Sequence, residues 1–298
     1  MSGTGPPPPV APRRPVRVAV HGDERVDEWA WLRDRDDPEV IAHLEAENAY
    51  TRHVLAPTEG LQQELYDEMV ARILETDLSV PARKGEWWYY ARTVQGLQYP
   101  IACRKKGGPD GPEGPEEVML DENVLASGHA YFEVANLAVS PDAALLAYAT
   151  DSNGSERYTL RIRDLASGQD LADEVVDTYY GLAWAGAGRF VFYTKVDDAM
   201  RPHQLWRHAV GSPPSDDVLV YQEDDERFFL SVQLTKSEQY LLLNLESKVT
   251  TEVHFLAAAE PDGEFAVVEP RRQGVEYQVD HHGDRFLIVT NAEGAENF

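Results

Sequence analysis

Hydrophobic and polar positions follow two different rhythms along this chain, and the rhythm changes near residue 86. Upstream, Ile41, Leu44 and Asn48 share one face at helical spacing, with Val40 and Ala49 beside it. Asp37-Pro38-Glu39 opens that pattern with a carboxylate able to cap, a proline suited to the first helical position and an acid matched to the helix dipole. The helix is predicted to run to about Leu55 and to stop before Pro57, because the residue preceding a proline is biased away from helix. A second helix is predicted from near Thr58, where Leu61, Leu65, Met69 and Ile73 recur, widened by Tyr66 and Val70. Two amphipathic helices alone make a poor core, so both stripes need a partner to cover them.

From residue 86 the rhythm is that of strands. EWWYYARTV, YPIACRKK and EVML are β-rich runs, and the Gly/Pro segment GGPDGPEGPE between the last two is a surface loop without a phosphate cradle. A weak internal repeat follows. LAVSPDAALLAYATD from Leu137, LAWAGAGRFVFYTKV from Leu182, VQLTKSEQYLLLNLE from Val232 and QVDHHGDRFLIVTN from Gln278 each read as strand, polar turn, strand. With Tyr148, Tyr193, Leu243 and Val289 taken as equivalent, the spacings are 45, 50 and 46 residues. Third strands are predicted at RYTLRIRDL, QLWRHAV and EVHFLAA, and fourth strands at LADEVV, DVLVY and FAVVEP. A period of about 40–50 residues built from short strands is the mark of a β-propeller blade, although a tandem sandwich can mimic the spacing. The pattern allows one blade over about 86–126, three more to about 270 and a fifth beginning near Glu276, so the expected ring is unfinished.

The resulting organisation is a disordered proline-rich arm over 1–20, a docking segment with two helices over 21–80 and a partial β-propeller over 86–298. Composition adds three constraints. Hydrophobic residues are 43% of the 298 and charged residues 27%, ordinary for a globular chain. The net charge of −25 repels nucleic acid and anionic membranes and attracts cationic ligands, or serves only solubility. The lone Cys103 allows no intrachain disulfide and reads as a buried structural thiol in a reducing, cytoplasmic setting. No apolar run reaches the ~18–20 residues that cross a bilayer, and the start has no apolar core of a secretory signal.

Candidate chemistry is sparse. No G-x-S-x-G elbow, H-E-x-x-H or C-x-x-C is present. Ser155, in NGSER, is expected at a hairpin tip. His281 and His282 are adjacent on a predicted strand and point to opposite faces, so they do not chelate together; a solvent-facing corner is the simpler reading. Asp197, Asp198, Arg201 and His203 form a polar loop cluster that could line a pore or a domain interface but reads more simply as a salt-bridged surface loop, and QEDDER over 222–227 reads as a solvated connection. No catalytic, cofactor-binding or metal-binding residue is assigned, and no cofactor is expected.

One resemblance is specific. HGDERVDEWAWLRDRDDPEVIAHLEAENAY over 21–50 resembles the N-terminal signature of the oligopeptidase B branch of the prolyl oligopeptidase family of serine peptidases. The similarity continues through LYDEMVARI, GLQYPIACRKK, LAVSPDAALLAY and NGSERYTLRIRDL. It is strongest at TYYGLAWA, FYTKVDDAMRPHQLWRH, VLVYQEDDERFFL and EYQVDHHGDRFLIVTN. It implies a helical arm, a seven-bladed propeller of which about four to five blades lie here, and a C-terminal α/β-hydrolase domain, the expected partner, absent from this sequence. It also implies cleavage of short peptides after Arg or Lys by a Ser-His-Asp triad belonging to that domain, with the propeller as a cap that filters entry. This chain as given is then expected to be inactive alone. Trp29, Trp31 and Leu32 are expected to bury against the hydrolase partner. The alternatives are a non-catalytic propeller scaffold and a pseudo-enzyme, either binding cationic peptides.

Overall fold

The structure, a computed structural model, describes residues 6–295. Residues 1–5 of the expected proline-rich arm and the last three residues lie outside the described part. The chain divides into two compact units at Leu74/Glu75.

The first unit opens with a hairpin, β1 (Val16–Val20) against β2 (Asp23–Asp27), with Val18 opposite Arg25. This corrects the expectation of disorder to residue 20: VRVAV alternates and is β-branched, enough to pair with the strand that follows its turn at His21-Gly22. α1 (Pro38–Leu55) starts where its caps place it, with the Asp37 carboxylate accepting the Glu39 N–H at 2.8 Å. α2 (Glu59–Val70) follows a single 3₁₀ turn over Ala56–Thr58. Only Val40 of this unit's apolar side chains is buried among the described residues.

The second unit is a run of antiparallel meanders. The first sheet holds β3 (Ala82–Lys84), β4 (Trp87–Arg92), β5 (Ile101–Lys106) and β6 (Glu117–Asp121), paired in that order. It begins at Ala82, not 86, because Ala-Arg-Lys has no apolar pattern to mark it as a strand. The short helix α3 (Glu122–Leu125) leads to the second sheet of β7 (Glu133–Val139), β8 (Leu145–Asp151), β9 (Tyr158–Asp164) and β10 (Gln169–Thr178). The third holds β11 (Leu182–Ala185), β12 (Phe190–Val196), β13 (Pro202–Ala209) and β14 (Val218–Gln222). The fourth holds β15 (Phe229–Leu234), β16 (Tyr240–Glu246), β17 (Thr251–Ala257) and β18 (Ala266–Glu269). A hairpin of β19 (Tyr277–His282) and β20 (Arg285–Thr290) comes last.

The repeat inferred from sequence is a repeat of register. Tyr148 pairs with Leu137, Tyr193 with Leu182, Leu243 with Val232 and Val289 with Gln278. Tyr148, Tyr193 and Leu243 are all buried at that position, whereas Val289 of the last hairpin is exposed.

Each seam between sheets has its own core. Ala102, Met119 and Leu120 meet Leu146 and Tyr148. Leu160, Ile162 and Val175 meet Trp184, Val191 and Tyr193. Ala183, Phe192 and Leu205 meet Leu230, Leu241 and Leu243. Leu242 and Val253 meet Tyr277 and Val279. Full burial of each large side chain contributes about 1.5–3 kcal/mol, so the seams hold consecutive sheets face to face. The Trp184 indole N–H adds a 2.7 Å bond to the Ala138 carbonyl of the preceding sheet. Consecutive four-stranded meanders packed this way are propeller blades.

Candidate functional site

At one end of each sheet lie the turn between its second and third strands and the connection to the next sheet. On the fourth sheet the connection entering from the third sheet and the second-to-third turn, Glu226–Phe229 and Glu246–Val249, enclose with Gln273 of the outgoing connection an open groove of about 610 Å³. Phe229 and Val249 are 55% and 47% exposed inside it, with Glu226, Glu246 and Lys248 on the same walls. Exposed apolar side chains in a concave site with a few charges around them make this groove a candidate binding surface.

The groove rests on a buried polar frame. Arg201 is 8% exposed and is no surface ion pair. Its Nη1 donates to the carbonyls of Glu223, Asp225 and Phe228, each at 3.2 Å, while Nε donates to Asp197 Oδ2 at 3.0 Å. One guanidinium thereby folds the connection that sequence reading took for a solvated run. Glu223 within that run is buried, with its carboxylate on Arg271 Nη2 at 2.6 Å. Arg271 also donates to Glu252 Oε1 at 3.0 Å and stacks its guanidinium 4.0 Å from the Phe228 ring centre. Burial alone would raise the Glu252 carboxyl, but hydrogen bonds from Arg271 and His254 outweigh it and hold the group down at about 2. At the rim, the Arg227 guanidinium holds the Asp225 carboxyl well below the usual range.

A second cavity, of about 550 Å³, lies among the inner strands and is mainly apolar, with Met119, Leu137, Leu182, Trp184 and Leu234 in its walls. Lys84 lines one part of it and pairs with Glu238 of the fourth sheet at 2.6 Å.

The remaining sequence candidates are structural. Cys103 is fully buried, and burial pushes its thiol up. Ser155 sits in the exposed turn between β8 and β9. His281 and His282 do point apart, but His281 is buried rather than solvent-facing: its Nδ1 is 2.9 Å from Ser237 Oγ and its ring packs on Tyr240. The Asp280 carboxylate accepts the backbone N–H groups of Lys236 and His281, so Ser237 and His281 stitch two sheets together and are not oriented as a nucleophile and its base. His203 is half-buried, with Nδ1 enclosed and unpartnered. In the first unit Trp31 is covered from its own arm, with its indole N–H on the Pro12 carbonyl at 3.0 Å and Arg14 over the ring at 4.4 Å, whereas Trp29 remains 45% exposed.

One site was missed altogether. His208, fully buried on β13, has Nδ1 2.6 Å from Asp217 Oδ1 and Nε2 2.8 Å from Asp173 Oδ1. Asp173 belongs to β10, so the imidazole bridges the second and third sheets. Its partners lie 35 and 9 residues away, and no local pattern announces them.

The consecutive blades define a propeller module with a grooved end. Residues 8–298 match the family model described as prolyl oligopeptidase, N-terminal beta-propeller domain. The chain is 42% identical to dipeptidyl aminopeptidase BI of Pseudoxanthomonas mexicana over all of its own length and 43% of that protein's. It is 38% identical to protease 2 of Moraxella lacunata, over 97% of this chain and 42% of the relative. Oligopeptidase B from Leishmania major superimposes with a TM-score of 0.90 at 32% identity, over 97% of this chain and 43% of that one. The chain therefore belongs to the prolyl oligopeptidase family, and it spans less than half the length of these relatives. It corresponds to the family's N-terminal propeller.

Proposed function

We propose that this chain is the propeller portion of a serine oligopeptidase of the oligopeptidase B type, which cleaves short peptides after Arg or Lys. The observation that carries the reading is the likeness to oligopeptidase B across nearly the whole chain. In this reading the catalytic Ser, His and Asp are supplied by an α/β-hydrolase domain of the same polypeptide, the propeller's partner, which the exposed apolar stripes of α1 and α2 help to seat. The propeller caps that site and excludes folded chains. The groove around Phe229 and Val249 receives the peptide, and the net charge of −25 raises the local concentration of cationic substrates. A reducing compartment, the cytoplasm, suits a chain whose one thiol is buried and unpaired.

The 42% identity to a dipeptidyl aminopeptidase supports a second reading, removal of dipeptides from a free N-terminus. A fluorogenic panel separates the two. The protein encoded by the full reading frame is assayed on N-blocked Arg-linked, N-blocked Pro-linked and unblocked dipeptide substrates. Turnover of the N-blocked Arg-linked substrate is expected, with none by residues 1–298 alone. Turnover restricted to unblocked dipeptides supports the second reading, and preference for Pro-linked substrates overturns the first.

A further inference from the structure

The turn between β8 and β9 reads Asp151-Ser152-Asn153-Gly154-Ser155-Glu156-Arg157, and it holds the chain's one Asn-Gly step. The other asparagines precede Ala, Val, Leu or Phe. We propose that Asn153–Gly154 is a site of spontaneous, backbone-assisted deamidation, and that the buried carboxylate of Asp151 is its brake. The inference is independent of the peptidase reading.

The chemistry needs only water. The Gly154 amide nitrogen gives up its proton and attacks Asn153 Cγ. A C–N bond forms, the carboxamide nitrogen leaves as ammonia, and a five-membered succinimide results. Water then opens the ring at one carbonyl to give aspartate or at the other to give isoaspartate. The net change is amide plus water to carboxylic acid plus ammonia. Asparagine is among the thermolabile residues, and a following glycine presents no Cβ to block the attack.

The turn displays both the reactive geometry and the restraint. Asn153 and Gly154 are exposed. Asn153 Oδ1 accepts the Ser155 N–H at 3.0 Å, which closes a local turn over the next peptide and polarises the side-chain carbonyl. A Cβ at Gly154 would meet nothing nearer than the Tyr131 ring at 3.9 Å, but the residue's φ of +77° strains any side chain there. Asp151 opposes the reaction. It is 2% exposed, and its Oδ1 accepts the N–H groups of Asn153 at 2.8 Å and Gly154 at 3.1 Å while Oδ2 accepts that of Glu156 at 2.8 Å. The proton that must leave Gly154 is therefore held against a buried carboxylate, and the nitrogen is turned toward it.

Modification would alter more than one side chain. Either product adds a negative charge to this end of the propeller. Isoaspartate also lengthens the main chain by a methylene, which takes Gly154 out of register with Asp151. Arg157, one residue past the cradle, donates to the Asp197 carbonyl of the third sheet, so the loosened turn is one that links two sheets.

The experiment incubates the 298-residue chain at mildly alkaline pH and maps its peptides by mass spectrometry over time, with isoaspartyl methyltransferase to score isoaspartate. The acid product is expected at Asn153 before Asn48, Asn136 or Asn244. In the free peptide of residues 151–157, where the backbone is unconstrained, Gly154→Ala is expected to slow it about tenfold, a barrier change of about 1.4 kcal/mol. In the folded chain, Asp151→Asn is expected to speed it. The unsubstituted free peptide serves as a second gauge of the brake, and it is expected to react faster than the same residues in the folded chain. Equal rates in peptide and folded chain overturn the brake. Earlier reaction at another asparagine, or none at Asn153, overturns the site.

Discussion

The two units of this chain use apolar residues in opposite ways. In the sheets, Leu146, Ile162, Leu205, Leu241 and Leu243 are almost fully buried at the seams. In the helices, Leu44, Leu61, Leu65 and Met69 remain between 48% and 58% exposed. Both segments show clean periodicity in the sequence. Periodicity thus reports which face is apolar, whereas burial reports whether something covers it. The sheets cover one another because each blade repeats the same register. The helices carry a stripe whose cover is a matter for the proposed hydrolase partner.

That contrast can be broken most severely at His208. Replacing it by alanine leaves Asp173 and Asp217 buried without their shared ring, and a loss of about 3–5 kcal/mol is expected, read from urea unfolding followed by tryptophan fluorescence. An unchanged midpoint would show that the seam between the second and third sheets rests on its apolar core alone.

A smaller effect should follow acidification. The Glu252 carboxyl lies below its ordinary value in the folded chain, so the unfolded chain takes up its proton first as pH falls. The stabilisation is complete above pH of about 4.5 and is lost toward pH of about 2, with a magnitude on the order of 2–3 kcal/mol. Unfolding midpoints measured across that range should decline less steeply in Glu252→Gln than in the parent chain. Parallel declines would mean that the Arg271 network does not govern acid sensitivity.

The smallest effect is expected in the helices. Leu44→Ala should shift stability by no more than about 0.5 kcal/mol, since the side chain is half exposed. A thermal melt showing a loss of several kcal/mol would place Leu44 in a covered interface and erase the contrast.

How much of this was legible in the sequence depended on the reach of each interaction. The α1 start was readable because Asp37, Pro38 and Glu39 act within one turn. The blade hairpins were readable because apolar runs recur with the same pairing. β3 was not, since Ala82, Arg83 and Lys84 are recruited by pairing with Tyr89, Trp88 and Trp87 rather than by their own pattern. Arg201 looked like half of a surface pair with Asp197, four residues away, because its other acceptors are backbone carbonyls more than 20 residues on. The groove was invisible for a similar reason: Phe229, Val249 and Gln273 meet only when the third-to-fourth connection is folded over the guanidinium. Family resemblance supplied the propeller's identity, and local chemistry could not have supplied the groove.

The hairpins between first and second strands close at Val139↔Leu146, Ala185↔Phe190, Leu234↔Leu241 and His282↔Arg285. These turns differ in length, yet always by an even number of residues. Directly opposed residues of an antiparallel pair share a face, so a turn can change length without moving a blade's second strand so long as its closing pair is kept. Grafted turns should accordingly be interchangeable among the blades wherever the closing pair is preserved.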